Sequence, residues 1–283
     1  MSLENLTITI PTLNEEENIH DCLKSFIDTG SKNIIVIDGG SDDKTVEIIK
    51  KFDVKLIQVQ KLGLANQRNI GISNVKTKYT ALIDADMRGV EGSFEKMTED
   101  LEKGKYDGVE AYIKPVQIQS YYDKSYQCIM EININKLEKR KMIGTPTLWK
   151  TKVLQDNNFD PYFSGPSDDT DLCYRLYSKG FIFGGSSATI KHVHRKDFSS
   201  YLKKYLWYGK GDAQFIIKHP ERFFSILKHQ LFNYPIKFSI ISITKRQIFP
   251  IPFMIISGLL RFIGMIIEII SKIFIKKDRI YKT

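Results

Sequence analysis

Short apolar, β-branched runs alternate with amphipathic segments through the first half of the chain. Leu6 to Ile10, Asn33 to Asp38, Val54 to Val59, Tyr79 to Asp84 and Asp107 to Ile113 read as strands. Between them, Asn18 to Phe26, Thr45 to Lys51, Leu64 to Val75 and Phe94 to Lys103 repeat apolar positions at helical spacing. This rhythm predicts an α/β fold with a Rossmann-like, mainly parallel sheet flanked by helices, and polar loops at the strand ends opening on one face.

Beyond about residue 120 the alternation weakens. Ser120 to Lys141 turns polar and reads as a helix, and Thr147 to Lys150 as a short strand. Asp169 to Ser178 reads as a helix, with acids in its first turn and Gly180 behind it. Phe181 to Gly184 and Ala188 to His192 read as two short strands. No repeat or low-complexity linker interrupts the series, so one folded domain is expected over 1–218 and a separate helical region over 219–283.

That last region is strongly apolar from Phe249 to Ile275, interrupted only by Arg261, Glu268 and Lys272. At helical spacing Ser257, Arg261, Gly264, Glu268, Ser271 and Lys272 fall in one stripe and leave a wide apolar face. Pro250 and Pro252 mark its start, and Lys276, Lys277, Arg279 and Lys282 follow as interfacial anchors. A membrane span wants about 20 apolar residues with few charges, so the three internal charges favour a helix lying in the interface. Either arrangement attaches the chain to a membrane. Tyr201 to Tyr208 mixes Tyr205, Leu206 and Trp207 with Lys203 and Lys204, a composition that suits a headgroup layer and equally a helix packed on the sheet.

Composition narrows the classes. With 283 residues, 42% of them hydrophobic and 27% charged, the chain can bury one large core plus an appendage. The net charge of +9 is concentrated after His219, where eleven Lys and Arg face three acids. Because those bases are threaded through apolar residues, they favour an anionic membrane surface and no nucleic-acid partner. Cys22, Cys128 and Cys173 are odd in number and far apart, which argues against a disulfide framework and for a reducing setting. Met1 to Asn5 lacks the basic flank and apolar core of a secretory signal. The expected location is the cytoplasmic face of the cell membrane, peripheral or monotopic.

Candidate chemistry sits at the strand ends. Asp84-Ala85-Asp86 closes the apolar run from Tyr79, and two carboxylates one residue apart can grip a hard divalent cation where open α/β sheets bind ligands. Pro11 to Glu16 follows the first strand and Asp38 to Asp43 the second. A carboxylate such as Asp38 can accept a nucleobase imide N–H, although Asn14, Asp42 and Asp43 serve equally as helix caps. Arg68 offers a cation for phosphate. His192 and His194 alternate, so their imidazoles share one face.

In this order, Pro11-Thr12-Leu13-Asn14-Glu15, Asp38-Gly39-Gly40-Ser41-Asp42-Asp43-Lys44-Thr45, Arg68-Asn69-Ile70-Gly71, Asp84-Ala85-Asp86, Asp168-Asp169-Thr170-Asp171-Leu172 and His192-Val193-His194 resemble the family 2 glycosyltransferases of the GT-A fold. The resemblance spans roughly two hundred residues. It implies an inverting, hexosyltransferase-type enzyme that uses Mn2+ or Mg2+ and a nucleotide-sugar donor. By the same likeness Pro11, Thr12, Asn14, Glu15, Asp38, Gly40, Arg68, Asp84 and Ala85 would bind the nucleotide. Asp84 and Asp86 would hold the metal, aided by His192 or His194, between which the sequence does not choose. Asp169 would be the base, with Asp168 beside it. The family usually has Glu-Asp where this chain has Asp168-Asp169, one methylene shorter. Acids in a first helical turn also stabilise the helix dipole by about 0.3 to 1 kcal/mol without any catalysis.

The implied acceptor is a lipid-linked glycan or a polyprenyl phosphate. Two other readings remain. A nucleotidyltransferase that makes nucleotide sugars needs a Gly-rich basic loop where Pro11 to Glu16 is acidic. A catalytically silent nucleotide-sugar-binding membrane scaffold would keep donor affinity without the Asp169 carboxylate.

Overall fold

A computed structural model of the chain describes residues 3–133, 138–163, 165–194 and 197–280. Two compact units divide it: Met1–Gln117 with Ile134–His194, and Ile118–Asn133 with Arg195–Thr283.

The first unit carries strands β1 (Leu6–Thr12), β2 (Ile34–Asp38), β3 (Lys55–Gln58), β4 (Tyr79–Leu82), β5 (Met87–Arg88), β6 (Gly108–Pro115), β7 (Lys139–Arg140), β8 (Thr147–Lys150) and β9 (Phe183–His192). Helices α1 (Ile19–Asp28), α2 (Thr45–Ile49), α3 (Leu64–Ser73) and α4 (Ser93–Lys103) precede α5 (Tyr121–Asn133) of the second unit, and α6 (Thr151–Asp156) and α7 (Asp168–Ser178) follow it. One sheet runs β3-β2-β1-β4-β8-β6-β9-β5, with β7 on β9. β3, β2, β1 and β4 pair in parallel, as do β6 and β9, while β8 lies antiparallel between β4 and β6.

The apolar runs of β1, β2 and β4 are buried on both faces, whereas the edge strand β3 is half-buried or exposed along its length. On one side Ile8, Ile10 and Val36 pack with Leu23 and Phe26 of α1 and with Phe94, Met97 and Leu101 of α4. On the other, Leu82, Trp149 and Phe183 pack with Ile72, Leu154, Leu172 and Leu176. Gly71 lets α3 lie against the sheet, since a Cβ there would stand 2.7 Å from Ile37 Cδ1. All four parallel strands therefore aim their carboxyl ends at one rim.

Two expectations differ in detail. The runs before and after Gly185 form the single strand β9, which follows β6 across a register shift between Glu110 and Tyr112. The helix expected over Ser120 to Lys141 is described over Tyr121–Asn133, and Lys139–Arg140 joins the sheet as β7, where Arg140 finds an ion-pair partner in Glu110. Residues 134–137 of that span lie outside the described residues.

The second unit adds α8 (Phe198–Lys218), α9 (Phe223–Lys228), a π-helical segment (His229–Lys237), α10 (Phe238–Thr244) and α11 (Ile251–Ile280). The boundary expected at 218 falls at the end of α8, and α8 itself joins this unit because Tyr201 and Tyr205 pack with Tyr234, Phe238, Phe253 and Met254. The first part of the polar stripe of α11, Ser257, Arg261 and Gly264, turns to this interior, whereas Ser271 and Lys272 are exposed. Ser257 is buried, Arg261 pairs with buried Asp212 of α8, and Gln230 Nε2 donates to Asp212 at 2.8 Å. Close helix contact is the reason for Gly209 and Gly264: a Cβ on Gly264 would stand 2.2 Å from the Leu206 carbonyl oxygen. The outward face carries Ile256, Leu259, Ile263, Ile267 and Ile270, all exposed. Ile251–Ile273 is long and apolar enough to cross a membrane by length and composition. Of the expected anchors, Lys276, Lys277 and Arg279 lie on the last turns of α11, and Lys282 lies outside the described residues.

Candidate active site

Two loops at the sheet rim are zipped together. The Asn14 amide donates to Ser41 Oγ at 2.9 Å and Asn14 Oδ1 accepts from the Asp42 amide at 3.0 Å. The Glu15 amide donates to Thr45 Oγ1 at 2.8 Å, and the Glu16 amide to Asp43 Oδ2 at 3.1 Å. Asn14 adopts a positive φ of 55°, a conformation that asparagine tolerates better than most residues. Pro11 and Thr12 end β1 opposite Ile37 and Asp38 in the register.

Asp38 is buried and organises its own loop. Its Oδ2 accepts from the Gly40 and Ser41 amides at 3.1 Å each, and its Oδ1 accepts from the Ser41 hydroxyl. A carboxylate offers about four lone-pair sites. The fourth here is met only by the Thr12 hydroxyl at 3.5 Å, which also lies 3.4 Å from the Ile37 carbonyl. That weak, shared bond is the one an incoming imide could replace. Gly40 supplies the positive φ of 96° that the turn requires.

Arg68 is the hinge of the second group. Its side chain is buried on α3, yet it reaches Asp168 Oδ2 at 2.7 Å, Asp84 Oδ1 at 3.3 Å and the Thr145 hydroxyl at 3.1 Å, with its guanidinium over the Phe159 ring. The residue before it touches the first group: a Cβ on Gly39 would stand 2.4 Å from Gln67 Nε2. Adjacent positions of α3 thus link the nucleotide-type loops to the carboxylates.

Asp84 sits at the tip of β4 with its pKa raised, first by burial and also by Asp86, while Arg68 opposes the rise. Asp86 Oδ2 lies 3.1 Å from His192 Nε2, and the Asp86 carbonyl accepts from the Val193 amide at 2.8 Å, so the end of β9 is tied to this turn. The rings of His192 and His194 lie 5.1 Å apart on one side, as their alternation predicts. Ala85 is buried in the core and its carbonyl accepts from Arg88 Nη1 at 3.2 Å.

Asp168 opens α7 almost fully buried, and burial lifts its pKa to about 6 against the pull of Arg68. Its Oδ1 accepts from the Asp169 amide at 2.8 Å. Asp169 is half-buried, and its Oδ1 accepts from the Thr170 amide at 2.7 Å. Its other oxygen points toward Gly144, where a Cβ would stand 3.1 Å from Asp169 Oδ2 and 3.8 Å from Glu110 Oε1.

Glu110 is the group that the sequence pattern did not single out. It is buried on β6, paired with Arg140 and bonded by the Gly144 amide at 3.2 Å, and burial with the nearby Asp169 charge lifts its pKa to about 7. The only signal was one acid inside the apolar run Val109-Glu110-Ala111. Glu110, Gly144 and Thr145 bring strands and loops distant in sequence around Asp169.

Mn2+ or Mg2+ suits the donors at the β4 tip. Asp84 and Asp86 are hard oxygen donors whose mutual repulsion raises the pKa of Asp84, a strain that a cation would relieve. Among the described residues no group of three or more His, Cys, Asp or Glu converges as a full ligand set.

The curled, mostly parallel sheet and its flanking helices define a GT-A-like α/β fold. The family model described as glycosyl transferase family 2 matches residues 7–156, more than half of the chain, and the chain belongs to that family. Glycosyltransferase GlyA of Streptococcus pneumoniae is 26% identical over 56% of this chain and 26% of its own length. Poly-beta-1,6-N-acetyl-D-glucosamine synthase of Staphylococcus epidermidis is 34% identical over 30% of this chain and 22% of its own. The matched segments thus cover about a quarter of these relatives. Two crystal structures share the fold at 14% identity. S. aureus TarS 1-349 has a TM-score of 0.53 over 94% of this chain and 90% of that one, and GalNAc-T7 with UDP, GalNAc and Mn2+ has 0.54 over 68% and 43%.

Proposed function

We propose that the chain is an inverting, divalent-cation-dependent glycosyltransferase that moves a sugar from a nucleotide-sugar donor to a lipid-linked acceptor at the cytoplasmic face of a membrane. The Arg68 clasp carries this reading. One buried guanidinium bonds both Asp84 of the Asp-x-Asp and Asp168 at the start of α7, so the donor-side and acceptor-side carboxylates are fixed against each other. The presence of glycosyltransferases and a sugar-polymer synthase among the relatives supports the same chemistry.

Thr12, Asn14, Glu15, Asp38 and Gly40 hold the base and ribose in the interlocked loops, with the Pro11 and Ala85 backbone lining them. Asp84 and Asp86, with His192 or His194, would hold Mn2+ or Mg2+, and a cation there would supply charge neutralisation for the departing nucleoside diphosphate. Arg68 sets the position of Asp84 through its buried bond. Asp169 takes the acceptor's proton as the acceptor oxygen bonds to the anomeric carbon and the bond from that carbon to the diphosphate breaks. One displacement on the opposite face inverts the anomeric centre. The outward apolar face of α11 and the basic residues around it support membrane attachment, and with it a lipid-borne acceptor.

Full-length protein incubated with a panel of nucleotide sugars, Mn2+ and membrane lipid should release nucleoside diphosphate and label the lipid fraction. Asp86→Ala should abolish both. Release of pyrophosphate would replace this reading with a nucleotidyltransferase, and donor binding without turnover would replace it with a scaffold.

A further inference from the structure

Resting on the membrane attachment just proposed, we propose that the groove between α8 and α11 is a binding site for the phosphate headgroup of an anionic phospholipid. The groove has a volume of about 580 Å3 and is lined by Lys203, Lys204, Trp207 and Lys210 of α8 and by Gly264 and Ile267 of α11.

The helical period of α8 sorts its residues into two sets. Tyr201, Tyr205 and Gly209 point into the unit, whereas Lys203, Trp207 and Lys210 are exposed at successive turns of the opposite face. Lys203 and Lys210 make no hydrogen bond or ion pair among the described residues. Lys204 is held with its ammonium over the Tyr126 ring at 4.9 Å and the Tyr208 ring at 5.7 Å, which fixes one cation in place.

The opposite wall is apolar. Gly264 brings bare backbone into contact with Leu206 at the floor of the groove, and exposed Ile267 continues into the apolar outer face through Ile263 and Ile270. Three cations at one end of an apolar trough match a diacyl lipid with an anionic phosphate, its chains running along α11. Trp207 stands between them, where an indole favours the headgroup boundary. Free phosphate would use the lysines alone and leave the apolar wall without a role.

Trp207 provides the readout, because the other tryptophan, Trp149, is buried in the core of the first unit. The full chain is titrated with vesicles of phosphatidylcholine, with or without phosphatidylglycerol, while flotation and tryptophan emission are followed. Anionic vesicles should shift the emission of Trp207 to the blue, and W207F should lose that shift. A single lysine near an anionic surface contributes roughly fivefold in affinity, so K203Q/K204Q/K210Q should weaken binding to the anionic vesicles about a hundredfold. Binding to phosphatidylcholine alone should not change. K228Q/K237Q/K245Q, which removes equal charge elsewhere in the same unit, should cost far less.

Equal losses in both triple variants would overturn the groove in favour of diffuse charge attraction. Displacement of the protein from vesicles by millimolar inorganic phosphate would overturn the lipid assignment. Failure of the full chain to bind any vesicle would overturn the membrane reading along with the groove. Binding that the groove variant leaves intact overturns the groove alone.

Discussion

Arg68 lies buried between two carboxylates, and the consequences of removing it follow from their burial. Asp168 keeps a pKa of about 6 only because Arg68 opposes its desolvation. Arg68→Met leaves that charge buried without a cation, which typically costs about 3 to 5 kcal/mol. Protonating Asp168 relieves the penalty, so urea unfolding should show a larger loss at pH 7 than at pH 5; an equal loss at both would mean that the clasp does not hold Asp168 ionised. Glu110 gives a second test. Its folded pKa of about 7 lies above the ordinary 4.5, so the native state binds more protons than the unfolded chain between those values. Stability contributed by Glu110 is therefore full below pH 4.5 and lost as pH rises to about 7, a change on the order of 2 to 3 kcal/mol. Glu110→Gln should flatten that part of the stability profile, and an unchanged slope would contradict the assignment. The carboxylates at strand and helix ends were legible in the sequence because a change from apolar to acidic marks a rim. Glu110 was not, because its surroundings come from Arg140 and Gly144, which only the folded sheet brings to it.

At the scale of elements, α11 shows how far periodicity alone reaches. Its polar stripe could be read from the sequence, but the side it faces could not. Asp212 on α8 pairs with Arg261 and accepts from Gln230 in the π-helical segment, and Gly209 and Gly264 let the two helices meet backbone to backbone. Arg261 is therefore paired inside and isoleucines are left outside, the reverse of a water-facing helix. Gly264→Leu forces the helices apart. It should destabilise the second unit by about 1 to 3 kcal/mol, as overpacking does, and thermal unfolding followed by Trp207 fluorescence checks this. A variant as stable as the parent would mean that α8 and α11 do not pack so closely. Within the helical region expected over 219–283, the separate helices between Lys218 and Ile251 were not delimited, because Pro235 and the π-helical stretch break the regular period there. In contrast β1, β2, β4, α1, α3 and α7 were recognisable, since each has an unbroken run or stripe and a polar loop at its end.

For the whole molecule, the central claim is that the sheet rim of the first unit performs sugar transfer with Asp169 as base. Two features join in it: the interlocked loops that could receive a nucleotide, and the acceptor-side acids that Arg68 fixes to the Asp-x-Asp. The most direct measurement compares wild-type protein with Asp169→Asn, using the nucleotide sugar that the wild type turns over. Donor affinity is read by calorimetry, and sugar transfer to the lipid fraction under single-turnover conditions. Loss of a general base predicts a transfer rate lower by about 10²- to 10⁴-fold, with donor affinity unchanged. Transfer at the wild-type rate in Asp169→Asn would contradict the account.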